Sequence, residues 1–379
     1  MDVILSKKDL LRVFRRTQGV ADKKSTMPIL SNVLVRASDG VLRVAATDLF
    51  MAITASIKAE VKANGVLAIP GKDLVERLSV MPEGPVQICT SEGTTAQIKA
   101  VGARREFRLR GMPGEDFPAI PLPDADATSL ELAPAVLADL MAKTHFSIST
   151  DETRPHLNSA LLEWEGETIR MVTTDGHRLS KHEVQLVGGK SAKISILIPN
   201  KGINELRKLC DELRAERDPG VILLTRSGPN VFFKTSRDGE EAVLAVKLVD
   251  SQFPPYQQVI PQRSEINVRV GRLQLAETLN AMKVAASDKT GSVKLTLGKG
   301  VLRVTSEDPE SGAGVDEIPI DYAGGELTIG FNVKYLLDVL GALPDDEVKI
   351  GMTGELDPVV VEPGSSETKF LGIVMPMRI

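Results

Sequence analysis

Every second residue of Met51-Ala-Ile-Thr-Ala-Ser-Ile57 is apolar, the period of a strand with one buried face. Residues 6 to 18 follow a different rule: Leu10, Leu11 and Phe14 are spaced for one side of a helix. Ser6 is placed to cap that helix with Asp9 three positions on, and Gly19 to stop it. Helices of similar character are expected over residues 133 to 145 and 271 to 285. A second set follows strands, with apolar residues three and four apart at Leu74-Val75-Leu78, at Ile203-Leu206-Leu209-Cys210-Leu213 and at Leu336-Leu337-Leu340.

A longer period lies over this one. Three strands end in the same polar corner: Val41-Leu-Arg-Val-Ala-Ala-Thr-Asp48, Ile169-Arg-Met-Val-Thr-Thr-Asp175 and Val301-Leu-Arg-Val-Thr-Ser-Glu-Asp308. The aspartates are 127 and 133 residues apart. The strand-to-helix passages Val66-Leu-Ala-Ile-Pro70, Ile196-Leu-Ile-Pro199 and Leu327-Thr-Ile-Gly-Phe331 keep nearly the same spacing, which makes the chain an internal triplicate. Gly114-Glu-Asp-Phe-Pro118 and Asp250-Ser-Gln-Phe-Pro254 read as matching linkers stiffened by proline, with Ile120-Pro121 and Ile260-Pro261 beyond them. The expected domains are residues 1–123, 124–254 and 255–379, each α+β and each running helix, strands, helix, strands.

Charge adds an asymmetry that the net value of minus 5 conceals. The three thirds, divided after residues 123 and 262, carry plus 5, minus 4 and minus 6. A basic first third and an acidic last third favour head-to-tail association of two copies. At 26 percent charged and 42 percent hydrophobic residues, the chain belongs with globular rather than disordered or membrane-embedded proteins. The opening residues do not read as an export signal and no long uncharged apolar run follows, so the expectation is a cytoplasmic protein with no membrane partner. Cys89 and Cys210 lack metal-ligand or disulfide spacing and are expected to pack. No cofactor and no metal are expected.

Size suggests a use for the repeat. A domain of about 125 residues is roughly 35 Å across, and six in a ring leave an opening of about 35 Å. Duplex DNA passes through such an opening, and two three-domain chains supply six domains. Helices lining the inside with Lys and Arg, and antiparallel sheets outside, would hold phosphates without reading bases. Lys7, Lys8, Arg12, Arg15 and Arg16 give the first helix that character. One Trp and three Tyr are too few for a base-stacking platform.

The segments Lys24-Ser-Thr-Met-Pro-Ile-Leu-Ser-Asn32, Thr173-Thr-Asp-Gly-His-Arg-Leu179, Ile329-Gly-Phe-Asn-Val-Lys-Tyr-Leu-Leu-Asp-Val-Leu340 and Val374-Met-Pro-Met-Arg-Ile379 resemble the bacterial sliding clamps, the beta subunits of the replicative polymerase III. The resemblance covers the whole chain. It implies a non-enzymatic processivity factor: a ring-forming homodimer of three clamp domains per chain that encircles double-stranded DNA whatever its sequence. It also implies partners: a clamp loader, replicative and repair DNA polymerases, and other proteins bearing a clamp-binding motif. The family's peptide cleft falls on Leu157, Thr174, Gly176, His177, Arg178, Leu179, Pro254, Val259, Val360, Val374, Met375, Pro376, Met377 and Arg378. Its DNA-touching positions fall on Lys24, His156 and Lys201, and its subunit joint on Arg104, Phe107 and Leu109 against Val284 and Ala285.

Two other readings compete. Asp175-Gly-His-Arg178 contains an acid beside a histidine, as catalytic sites do, but adjacent residues at a strand end diverge. The other repeats have Leu49-Phe50 and Pro309-Glu310 after the matching aspartate, so a turn residue bracing its own backbone is expected instead. Gly188-Gly-Lys-Ser191 lacks the first glycine of a phosphate loop and reads as a surface turn. An open repeat scaffold that binds peptides without enclosing DNA is the runner-up, ahead of the catalytic reading.

Overall fold

The computed structural model describes residues 1–21, 25–186, 192–287, 290–308, 312–365 and 367–378. Its helices are α1 (Lys7–Gln18), α2 (Gly71–Ser79), α3 (Pro134–Thr144), α4 (Asn200–Arg214), α5 (Arg272–Lys283) and α6 (Val333–Ala342), two for each repeat. The strands form four antiparallel sheets. The chain divides into two compact units, one of residues 1–137 with 204–248, the other of residues 138–203 with 249–379.

Both units are organised around the same join. In the first, the strands Gly65–Pro70, Asn32–Ser38, Val41–Thr47 and Met51–Lys58 continue into Glu240–Lys247, Asn230–Arg237, Ile222–Ser227 and Ser129–Leu132. Met51–Lys58 pairs with Glu240–Lys247 at what we term the first seam. In the second unit, Ala192–Pro199, Ser159–Gly166, Thr168–Thr174 and Arg178–Gln185 continue in the same order into Lys369–Val374, Val359–Pro363, Glu347–Met352 and Ile266–Gly271. The second seam pairs Arg178–Gln185 with Lys369–Val374. Each seam therefore fuses half of one repeat to half of the next, so the backbone ladder does not stop at the repeat boundary.

Local rules explain most of the elements. Ser6 caps α1 by accepting from the Asp9 N–H, and its hydroxyl reaches the Asp9 carboxylate at 2.6 Å. Leu10, Val13, Phe14 and Thr17 form the buried stripe of that helix. Leu11 is only half-buried, so Val13 takes the place expected for it, as the 3.6-residue period requires. Gly19 ends the helix with φ −66°, a right-handed value, so its glycine freedom is not used there. Each repeat also opens with a strand that the sequence reading did not separate from the helix: Asp2–Ser6, Ser129–Leu132 and Ile266–Gly271. These strands are only four to six residues long, too short for alternation to stand out beside the helical period.

Two sheets lack a seam. The five-stranded sheet ends on Glu106–Arg110 and the four-stranded sheet on Gly312–Pro319, each hydrogen-bonded on one side only among the described residues. No helix among the described residues is long and apolar enough to cross a membrane.

Candidate partner and nucleic-acid interfaces

The corner at the start of the second seam is built by backbone chemistry. Asp175 Oδ1 accepts from the N–H groups of His177 and Arg178 at 2.9 and 3.0 Å. Gly176, at φ 93°, occupies a conformation that L side chains rarely adopt. Asp48 does the same work in the first repeat, accepting from the Phe50 and Met51 N–H groups at 2.9 and 2.8 Å. Both aspartates are thus occupied in bracing turns. Among the described residues no group of three His, Cys, Asp or Glu is arranged to hold a metal. Pro309 and Glu310 of the third corner, and the Gly188 to Ser191 segment, lie outside the described residues.

Arg178 is 7% exposed and fully engaged. Its Nε donates to Asp175 Oδ2 at 3.0 Å, Nη1 to Asp338 Oδ2 at 2.6 Å and Nη2 to the Phe146 carbonyl at 2.5 Å. The guanidinium also lies 4.5 Å from the Tyr335 ring centroid and 5.6 Å from that of Phe146. His177, exposed, stacks on Tyr335. Burial and the nearby Asp175 carboxylate push the Tyr335 hydroxyl above its ordinary range. Arg178 is therefore a strut tying the corner to α6, while His177 and Tyr335 present the surface.

The residues assigned to the peptide cleft lie in the second unit and largely converge. Leu179 and Val360 belong to one apolar cluster with Leu161, Val172, Leu197, Tyr256 and Ile373, and the linker residues Phe253 and Ile260 pack against it. Val374 belongs to the other face of the same sheet, in the core that holds α5 and α6. Leu157 and Thr174 are buried, Thr174 donating its hydroxyl to the Arg178 carbonyl at 2.6 Å. Gly176, His177, Val259 and Arg378 are exposed, and Pro254, Met375, Pro376 and Met377 half-buried. The tail is held in place, with Met375 N–H donating to the His177 carbonyl at 2.9 Å and Met377 N–H to that of Gly330 at 2.8 Å. Ile379 lies outside the described residues. Sequence reasoning missed Tyr335, Asp338, Phe146, Tyr256 and Ile373. The first two were within reach, since their three-residue spacing on α6 places them on one helix face.

Of the residues assigned to the subunit joint, Arg104 is exposed, Phe107 half-buried and Leu109 5% exposed, turned into its own core. Val284 is 85% exposed just past α5, and Ala285 adjoins Gly314 on the open strand Gly312–Pro319. Of the positions assigned to DNA, Lys24 lies outside the described residues. Half-buried His156 and exposed Lys201 occupy neighbouring segments, joined where the Asn200 N–H donates to the Asn158 carbonyl at 3.0 Å.

The basic face of α1 is less free than the sequence implied. Lys7 donates to the Met81 carbonyl and to Glu83, Arg12 pairs with Asp9 and Glu240, and Arg16 grips Glu212 on α4 through Nε and Nη2. Lys8 and Arg15 enter no ion pair among the described residues, and both line an open cleft of about 550 Å³ between α1 and α4. Cys210 sits on the apolar stripe of α4, where burial pushes its thiol up to about 12, so it packs rather than reacts.

Three like domains joined by continuous sheets define a clamp architecture. Family models for the DNA polymerase III beta subunit match in order along the chain: the N-terminal domain over residues 1–121, the central domain over 131–255 and the C-terminal domain over 257–378. The chain is 29% identical to the beta sliding clamp of Vibrio cholerae and 30% identical to that of Escherichia coli K12, with all of each chain covered. The crystal structure of the DNA polymerase III subunit beta from Pseudomonas aeruginosa superposes with a TM-score of 0.91 at 29% identity, again over the whole of both chains. The chain belongs to the DNA polymerase III beta subunit family, the sliding clamps, which are non-catalytic processivity factors.

Proposed function

We propose that two copies of this chain close head to tail into a ring around duplex DNA and tether a polymerase through the cleft at the second seam. The observation that carries this reading is the pair of open strands, Glu106–Arg110 and Gly312–Pro319. Met51–Lys58, Arg178–Gln185 and Gly312–Pro319 each follow the corner strand of their repeat. Two of the three are joined in seams, and the third lacks only its partner. A second copy supplies it, forming a third seam of the same kind and leaving no exposed edge to propagate.

Repeat equivalence also sets the register. Ala52 pairs with Ala245 and Thr54 with Val243 at the first seam. Transferred to the open strands, these pairs set Leu109 opposite Ala313 and Phe107 opposite Val315, with Arg105 reaching Glu317. Arg104, Arg105, Arg108 and Arg110 on one edge meet an edge carrying Glu307, Asp308 and Glu317, with Glu106 opposite Asp316 the one like-charge pair, so the net charge of the two edges orients the two copies. Val284 and Ala285 would cover Phe107, while Leu109 shapes the strand from within.

Sequence-independent contact falls to Lys8, Arg15 and Lys201 with Lys24 and His156, through phosphates rather than bases. The cleft around His177, Tyr335, Leu179, Val360 and the tail suits an apolar side chain of a short linear motif. Its occupants would be replicative and repair polymerases, the clamp loader and other proteins bearing that motif, which fits a cytoplasmic chain. The expected domains, 1–123, 124–254 and 255–379, are the units repeated around the ring.

The deciding experiment loads the protein on nicked circular DNA and then cuts the circle. Retention on the circle with release on linearisation is expected, because topology rather than affinity holds a ring. Equal retention on both forms favours the open scaffold instead. Removing Met375 to Ile379 should weaken a motif peptide at least about tenfold and leave the dimer intact; an unchanged peptide affinity refutes the cleft.

A further inference from the structure

One sheet face of the first repeat carries a charge that the other two repeats balance within the chain. Arg43, Arg170 and Arg303 each stand five residues before the aspartate of their corner, on the equivalent strand. Arg170 lies between Glu163 and Glu183 on the flanking strands, with ion pairs of 3.7 and 3.2 Å. Arg303 lies between Thr296 and Glu317, and its Nε reaches the Glu317 carboxylate at 2.8 Å. Arg43 instead lies between Arg36 and Ser56.

Arg36 and Arg43 are both exposed and directly opposite each other, on the face away from the core into which Val35, Ala37, Leu42 and Val44 turn. Side chains opposed in this way have β-carbons about 5 Å apart, and like charges so placed repel. Lys58, two residues along the strand from Ser56 and so on the same face, is exposed as well. None of the three enters an ion pair among the described residues. The next acid in the row, Glu241 opposite Ser56, is engaged by Lys234 at 2.6 Å.

We propose that this face docks an acidic segment of a protein partner, whose carboxylates take the places that Glu163 and Glu183 occupy around Arg170. Neighbouring guanidiniums offer forked pairs of N–H donors, the geometry that matches a carboxylate. Phosphate oxygens would meet the same donors, but the face takes a glutamate beside this arginine in both other repeats. The residues opposite Lys58, Arg43 and Arg36 on the neighbouring strands include Val41, Ser56 and Val66, so no aromatic ring among them serves a base for stacking. Docking here needs only one chain and does not depend on a closed ring. Because the pair is exposed, docking weakens as salt is raised.

The test is fluorescence anisotropy of a labelled peptide of alternating Glu and Ser residues against the full chain at low ionic strength. Arg36→Glu recreates the pairing of Glu163 with Arg170, so it should weaken the peptide at least about tenfold while the thermal midpoint of the chain holds or rises. Arg226→Glu makes the same charge change at an exposed residue on another strand of the same sheet, and should leave the affinity within about twofold. Absence of binding at millimolar peptide, an unchanged affinity in Arg36→Glu, or an equal loss in Arg226→Glu overturns the proposal. An oligothymidylate that binds as tightly as the peptide, and is weakened as much by Arg36→Glu, overturns it in favour of nucleic acid. If Arg36→Glu does not fold, Arg43→Gln carries the same test, with an expected loss of at least about threefold.

Discussion

At the first seam the corner before Met51–Lys58 places Leu49 at φ 73° and leaves Phe50 66% exposed. At the second seam the same corner carries Gly176 at φ 93°, His177 stacked on Tyr335 and Arg178 sunk between two carboxylates and two rings. The strand order and the aspartate brace are shared, and at the second corner the buried Arg178 ties the brace to α6 through Asp338. The linker differs too. At the first seam Ile120 lies against Ala52, Phe232 and Ala245, whereas at the second Tyr256 is buried over Leu179, Val360 and Ile373. The repeat thus supplies a common joint, and small changes at its corner decide whether the corner also carries the stacked His177–Tyr335 surface proposed to receive a partner.

The largest expected effect concerns the missing third joint. In the proposed joint Phe107→Asp would set a charge opposite Val315 and beside Val284, and should weaken the dimer about a thousandfold, roughly 4 kcal/mol, by sedimentation equilibrium. Because Phe107 is only half-buried within its own chain, the subunit should remain folded. An unaffected dimer would mean that the open strands do not meet.

A smaller effect separates the two braces. Asp175→Ala removes a partner of the buried Arg178 as well as two backbone acceptor bonds, and should cost about 3 kcal/mol in urea unfolding. Asp48→Ala removes the turn bonds to the Phe50 and Met51 N–H groups and should cost about 1 kcal/mol. Equal losses would show that Arg178 does not anchor its corner.

The corner backbones give the smallest contrast. Gly176→Leu imposes a left-handed conformation on a side chain and should destabilise by about 1–2 kcal/mol, while Leu49→Gly relieves one and should stabilise by less than about 1 kcal/mol. Thermal unfolding of the pair checks both signs, and a loss on Leu49→Gly would contradict the strain.

Much of this was legible in the residues. Alternation and helical spacing gave the six helices and the corner strands, and the spacing of Asp48, Asp175 and Asp308 gave the triplication. What stayed hidden depends on contacts distant in sequence. Nothing local in Glu240–Lys247 says that it pairs with Met51–Lys58, because strand pairing is decided by which edges meet. The charges of α1 read as a free basic face because Glu212 and Glu240, which neutralise Arg16 and Arg12, lie some two hundred residues away. The candidate cleft was found through family motifs, but the role of Arg178 as a strut needed Asp338 and Phe146 in place.

Closure by a third seam can be measured through its register. With Phe107→Cys and Val315→Cys in one chain, oxidation after loading on circular DNA should link each subunit to the next at both joints. The covalent ring should then survive high salt on the intact circle and leave when the circle is cut. Absence of the cross-link, or a cross-linked species that stays on linear DNA as firmly as on the circle, would contradict an enclosing ring built by repeating the seam.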